Sequence, residues 1–189
     1  MTAIAALGAD VGAVLTALAR AAIEQGLRLR EDLVTDDPAW LREPGASFVT
    51  LTISGQLRGC IGSLVAHRPI GQDVASNAQA AALADPRFPR LRAAELERVA
   101  VEVSILDAPM PMSFTSRADA LGQLRPRIDG VILAERGHRA TFLPQVWDEL
   151  PDPEVFLGHL LRKAGLPATY WSDTVRLERY GVTAFHEAR

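Results

Sequence analysis

The chain of 189 residues has one cysteine, Cys60, and one lysine, Lys163, and only 6% of its residues are aromatic. A lone cysteine excludes an intramolecular disulfide and any multi-cysteine zinc or iron–sulfur site built within the chain, and it favours a cytoplasmic protein. The 4 histidines, His67, His138, His159 and His186, show no HxH, HxxxH or HExxH spacing. The expectation is therefore a protein with no metal, flavin or other cofactor of its own. GxGxxG, P-loop and GxSxG motifs are also missing, so ordinary nucleotide-enzyme and hydrolase classes lack sequence support. There is no internal repeat, no low-complexity tract and no long apolar run. The N-terminal MTAIAALGADVGAVLTALAR is apolar, but it lacks a basic n-region and Asp10 interrupts it. It reads as neither signal peptide nor membrane span, and no membrane contact is expected. A net charge of −3 gives no drive for generic nucleic-acid binding over a broad surface.

What remains is a globular composition, 48% hydrophobic and 23% charged, and a length that suggests one domain with one substantial core, with room for a small appended lobe. Residues 10–30 read as an amphipathic helix capped by Asp10, with Val14, Leu15, Leu18, Ala22 and Leu29 on or near one face. FVTLTI alternates, with Val49, Leu51 and Ile53 on one side and Phe48, Thr50 and Thr52 on the other. Ser54-Gly55 turns it into a second strand, QLRGCI. A helix follows from Ile70 to Leu83, then VAVEVSIL is the clearest strand and DAPMPMSF a proline-rich link. DGVILAERGHRATFL reads as a hairpin around Arg136-Gly137-His138. PDPEVFLGHLLRKAGLP reads as a helix between Pro153 and Gly165, and DTVRLERY as a terminal strand. The pattern is α+β: a mainly antiparallel sheet flanked by helices.

Cys60 lies between Gly59 and Gly62 in LRGCIG, residues 57–62. Period two sets Arg58 and Cys60 on one strand face, where a guanidinium favours a reactive thiolate, and the glycines permit close approach of a backbone or a ligand. The competing account is a buried cysteine whose glycines serve a bulge or turn. Glu102 and Ser104 lie on the non-core side of VAVEVSIL, and Glu102 within reach of Arg58 or Arg87 would make a cleft wall. In DPRFPR, the plain account is a helix stop with Phe88 in the core and a solvated Asp85 and Arg87 pair. ATFLPQVW gives an exposed turn at Pro144, with helix-start packing of Phe142 and Trp147 as its bland alternative. Lys163 suits a helix C-terminus whether or not it has a further role.

Taken together, FVTL, LRGCIG, DPRFP, VEVS, GVIL, TFLPQVW and FLGHLLRKAGLP occur in the order of the AMMECR domain family, and the chain resembles its bacterial branch, AmmeMemoRadiSam system protein A. The resemblance runs from about Leu15 to Phe185, with LRGCIG as the family hallmark; Ser63 stands where many relatives have threonine. It implies an α+β fold with a larger and a smaller lobe, and partners that are a Memo-like and a radical-SAM protein. Motif matching marks Arg58, Cys60, Asp85, Arg87, Glu102, Ser104, Thr141 and Lys163 as candidate site residues. Three functions follow: a partner or substrate-presenting module of a modification system, an enzyme with Cys60 as nucleophile or redox thiol, and, more weakly, an RNA-binding module. A shared concave surface for Arg58, Cys60, Arg87, Glu102 and Lys163 is the geometric expectation.

Overall fold

The computed structural model describes residues 10–32 and 38–188. Its helices are α1 (Asp10–Gly26), α2 (Ile70–Leu83), α3 (Arg117–Gln123) and α4 (Pro153–Lys163). Its strands are β1 (Pro44–Gly45), β2 (Ser47–Ile53), β3 (Gln56–Gly62), β4 (Arg68–Pro69), β5 (Val99–Leu106), β6 (Met110–Pro111), β7 (Gly130–Glu135), β8 (His138–Phe142), β9 (Arg176–Tyr180) and β10 (Val182–His186). The strands form two four-stranded sheets, ordered β10-β5-β2-β3 and β6-β9-β7-β8, and a separate two-stranded β1-β4 pair. The β2–β3, β2–β5, β6–β9, β7–β8 and β7–β9 pairings are antiparallel. This is the expected α+β architecture. Among the described residues no helix is long and apolar enough to cross a membrane.

The chain divides into two compact units, the larger made of residues 1–106 and 183–189 and the smaller of residues 107–182. Length alone suggests one core, yet each unit has its own. In the larger unit α1 and α2 cover one sheet face, where Leu15, Ile23, Val74 and Ala78 meet Val49, Leu51, Val101, Val103 and Ile105. In the smaller unit Phe156, Leu157, Leu160 and Leu161 of α4 meet Val131, Leu133 and Leu177 of the sheet. The proline-rich link after β5 does not remain a loop throughout: its Met110 and Pro111 form β6, which pairs with β9 at the edge of the second sheet.

Both hairpins turn on two residues with positive φ, Ser54 (52°) with Gly55 (78°) and Arg136 (44°) with Gly137 (91°), the twist that matches strands joined tightly. Helix α1 stops at Gly26 rather than near residue 30, because Arg28 adopts a left-handed conformation (φ 61°). Leu29 is consequently 54% exposed instead of lying on the inward face. The capping side chain of Asp10 lies outside the described residues. DTVRLERY is not the last strand, since β10 follows it and returns to the first sheet. Helix α3 escapes the sequence reading; its Ser116 accepts the Asp119 N–H as an N-cap.

Under the first sheet lies a buried polar knot. Asp73, at the first turn of α2, accepts from Ser47 N and Oγ, Ser63 Oγ, Arg68 Nε and Asn77 Nδ2. A fully buried carboxylate is tolerated only with such saturation, and here it ties the start of β2 and the end of β3 to one helix.

Candidate functional site

The site begins with strand register. Thr50 of β2 pairs with Cys60 of β3 on one side and with Glu102 of β5 on the other. Directly paired residues share a face, so Cys60, Thr50 and Glu102 form a row across three strands, on the side opposite the helices. Cys60 and Glu102 are two strand spacings apart, about 10 Å. Thr50 Oγ1 lies 3.4 Å from Cys60 Sγ. Ser104 donates to Glu102 Oε1 at 3.1 Å, and His186 Nδ1 of β10 lies 3.5 Å from Glu102 Oε2. The row thus runs thiol, hydroxyl, carboxylate, imidazole. Glu102 is 27% and His186 73% exposed, whereas Ser104 is buried.

Each glycine of the motif has a packing task. A Cβ on Gly59 would sit 2.1 Å from the carbonyl oxygen of Ala81, so only glycine lets α2 lie this close to β3. On Gly62 a Cβ would sit 2.2 Å from the Phe48 ring, which covers that position. The close approach allowed by the glycines is therefore that of a helix backbone and a ring. Cys60 is half-buried.

Arg58 departs from its expected place. The ladder steps from Leu51 opposite Gly59 to Thr52 opposite Leu57, leaving Arg58 as the extra residue of a bulge. Its guanidinium, 12% exposed, is held by Glu95 through Nε at 3.1 Å and Nη2 at 3.3 Å. The alternation that would set Arg58 beside Cys60 is broken, and its charge is answered by Glu95. The Arg58 and Arg92 side chains, with the Arg92 N–H, lower the Glu95 carboxyl to about 2.

Asp85 and Arg87 are not a solvated pair. Strand β3 is an edge, so the N–H and C=O of Cys60 that face away from β2 need partners. Asp85 Oδ2 accepts the Cys60 N–H at 2.8 Å, and Arg87 Nη2 donates to the Cys60 carbonyl at 3.1 Å. The two side chains bind each other through Arg87 Nη2 and Asp85 Oδ2 at 2.7 Å, and the Asp85 side chain is 1% exposed. The Arg87 hydrogen bond, aided by the two backbone N–H donors, outweighs burial and holds Asp85 far below the usual carboxylate range. Phe88 is half-buried beneath the Arg87 guanidinium, 5.5 Å from ring centroid to Cζ.

The expected charge pair of Glu102 with Arg58 or Arg87 is not formed, because each arginine has its own carboxylate. His67 is bound locally, its Nδ1 to the Val65 carbonyl. Thr141 and Lys163 belong to the smaller unit, where Lys163 Nζ donates to the Thr141 carbonyl at 3.1 Å and Thr141 Oγ1 donates to the Val131 carbonyl. Beside them Tyr180 is pushed up to about 12 by burial, against the Thr141 hydroxyl. In ATFLPQVW the bland account holds: Trp147 is buried, stacked on Phe156 at 3.7 Å, with Nε1 donating to the Asp129 carbonyl. Among the described residues no three His, Cys, Asp or Glu side chains converge as metal ligands.

Sequence reasoning missed Glu95, His186, Asp73 and Asn77 as members or supports of this region. No local signal marked any of them: Glu95 accepts the Arg92 N–H as the acidic half of a capping box would, but an arginine side chain cannot accept the reciprocal bond. Nothing local announces that β10 brings His186 to Glu102.

The model of the AMMECR1 family matches residues 16–185. The chain is 39% identical over 187 residues to a protein of Methanothermobacter thermautotrophicus, covering 97% of both chains. It is 37% identical to a Saccharolobus islandicus protein, covering 97% of this chain and 84% of that one. The crystal structure of an uncharacterized protein from Pyrococcus horikoshii superposes with a TM-score of 0.82 at 31% identity, over 93% of this chain and 91% of the other. With motifs, length and fold in agreement, the chain belongs to the AMMECR1 family.

Proposed function

We propose that the protein is a partner or substrate-presenting component of a cytoplasmic modification system, the role of AmmeMemoRadiSam system protein A, acting with a Memo-like and a radical-SAM protein. The observation that carries this reading is how Asp85 and Arg87 are used: their charges grip the main chain of Cys60, leaving its side chain without a base. Among the described residues the hydrogen-bond partner of Sγ is the Thr50 hydroxyl, which is too weak an acid or base to activate a thiol. Such a motif rigidifies a sheet face and displays Cys60, Thr50, Glu102 and His186 on it. The family resemblance supplies the identity of the partners. Any iron–sulfur cluster belongs to the radical-SAM partner, since one cysteine cannot hold it.

Co-expression of the three proteins of one genome, with the AMMECR1 chain tagged, tests the reading. The expected result is capture of at least one partner by the wild type and loss of capture in Glu102→Gln, with an unchanged melting temperature. Failure of the wild type to capture either partner would overturn it. The second reading, an enzyme using Cys60, rests on the half-exposed thiol. Its sign would be a thiol that reacts faster than free cysteine at neutral pH.

A further inference from the structure

In the smaller unit, the tip of the β7–β8 hairpin and the start of β9 enclose a pocket of about 490 Å³ lined by Glu135, Arg136, His138, Arg139, Thr174 and Arg176. Register sets two of the arginines on either side of one small residue: Ala134 pairs with Arg139 of β8 and with Arg176 of β9. The three side chains share a sheet face, so alanine leaves a notch between two cationic stems whose Cα atoms are about 10 Å apart. Two guanidinium groups flanking one strand repel each other unless an anion joins them.

Several of the molecule's arginines are answered by carboxylates. Arg58, Arg68, Arg87 and Arg125 are each held by a carboxylate of their own unit. Among the described residues the Arg139 and Arg176 side chains have no hydrogen bond or ion pair. The carboxylate in the pocket's lining, Glu135, is buried: its Oε1 accepts the hydroxyls of Tyr170, Ser172 and Thr174, with Arg136 Nε 3.5 Å away, while its Oε2 has no hydrogen-bond partner among the described residues. The lining thus carries three arginines against one carboxylate, and Glu135, paired with His138, lies on the other sheet face from Ala134, Arg139 and Arg176. His138 donates from Nδ1 to the Ala164 carbonyl, which fixes the pocket wall to the end of α4.

We propose that this pocket binds the oxyanion of a small phosphate- or carboxylate-bearing molecule, gripped by Arg139 and Arg176 across Ala134 with Arg136 at the hairpin turn. Guanidinium forks match both groups by paired N–H donors. The volume suits a small organic molecule rather than a bare ion. A nucleic acid would need a longer basic track than one hairpin tip supplies.

The test is a titration of the full chain, at fixed ionic strength, with inorganic phosphate and separately with citrate, followed through the backbone amide signals of Ala134 and Gly137. Both anions stabilise folded proteins generally by exclusion from the surface, so a raised melting temperature is not the readout. The expected result is a saturable shift in the wild type, weakened about tenfold in Arg139→Gln and in Arg176→Gln and lost in the double variant, if each fork contributes an ordinary charged hydrogen bond. Both positions are exposed, so the variants should fold, and Arg90→Gln, exposed in the other unit, should bind as the wild type does. Saturation by either anion supports the proposal and identifies the group recognised. A linear, non-saturating response, an equal response in the double variant, or saturation only by a single-stranded oligonucleotide with a steep salt dependence overturns it.

Discussion

In the larger unit α2 lies so close to β3 that one added carbon at Gly59 would strike the Ala81 carbonyl, and the helices meet the sheet through Ala19, Ala22, Ala78, Ala81 and Ala82. In the smaller unit the core is built around rings, with Trp147 flat on Phe156 and Phe142 edge-on to the same ring at 5.3 Å. One sheet is packed by leaving atoms out and the other by putting atoms in. The difference predicts opposite sensitivities: the first unit fails when volume is added, the second when volume is removed. Both units nevertheless treat their edge strands alike. Asp85 and Arg87 occupy the outward main-chain groups of Cys60 on β3, and the chain's only lysine occupies that of Thr141 on β8. An edge whose N–H and C=O groups are taken is a poor template for another strand.

The comparison is broken most severely at the rings. Trp147→Ala should cost about 3–5 kcal/mol in denaturant unfolding, with amide exchange rising within residues 107–182. Trp147→Phe keeps the stack and loses the bond to the Asp129 carbonyl, for about 1 kcal/mol. A loss under 1 kcal/mol for the alanine variant would mean that the stack does not hold the core. Next in size, Gly59→Ala should cost about 1–3 kcal/mol, since the obstacle is backbone that cannot turn aside. Its counterpart is Gly122 in α3, where a Cβ meets nothing within 4 Å. Gly122→Ala should stabilise by about 0.5–1 kcal/mol. If both glycines respond alike, the contrast is void.

The clamp on Cys60 is read by pH. Folded Asp85 lies below its ordinary value of 3.8, so its contribution is present above that value and lost as pH falls through the folded value. Glu95 behaves the same way between 4.5 and about 2. Arg87→Gln should cost about 1–3 kcal/mol near neutrality and flatten the acid limb of stability below pH 4. An unchanged acid limb would count against the clamp. The smallest effect is expected at the thiol itself. The Asp85–Arg87 clamp holds the main chain of Cys60, and a serine hydroxyl can keep the contact to Thr50 Oγ1, so Cys60→Ser should stay within about 1 kcal/mol of the wild type. Iodoacetamide should label native Cys60, and labelling that waits for denaturant would end the enzyme reading.

The elements with one clear period were legible: Ile70–Leu83 and Val99–Leu106 have the expected bounds, and both hairpins turn where glycine permits positive φ. The failures share a cause. Arg58 looked like a neighbour of Cys60 because alternation is a local rule, while a bulge depends on how the partner strand is matched. Asp85 looked solvated because its sequence neighbours are polar; what buries it is the unpaired edge of a strand 25 residues earlier. His186 and Glu102 meet only through β10, a pairing that no short window contains.

That pairing has a consequence for synthesis. The larger unit is discontinuous: β5 is made first, the whole smaller unit next, and β10 only afterwards. At about 5–20 residues per second the nascent chain spends several seconds with the outer edge of β5 open while the smaller unit can already fold. The sheet that displays the Cys60 row is completed last, so a ribosome stalled between the two strands would hold a chain whose Glu102 has yet to receive His186.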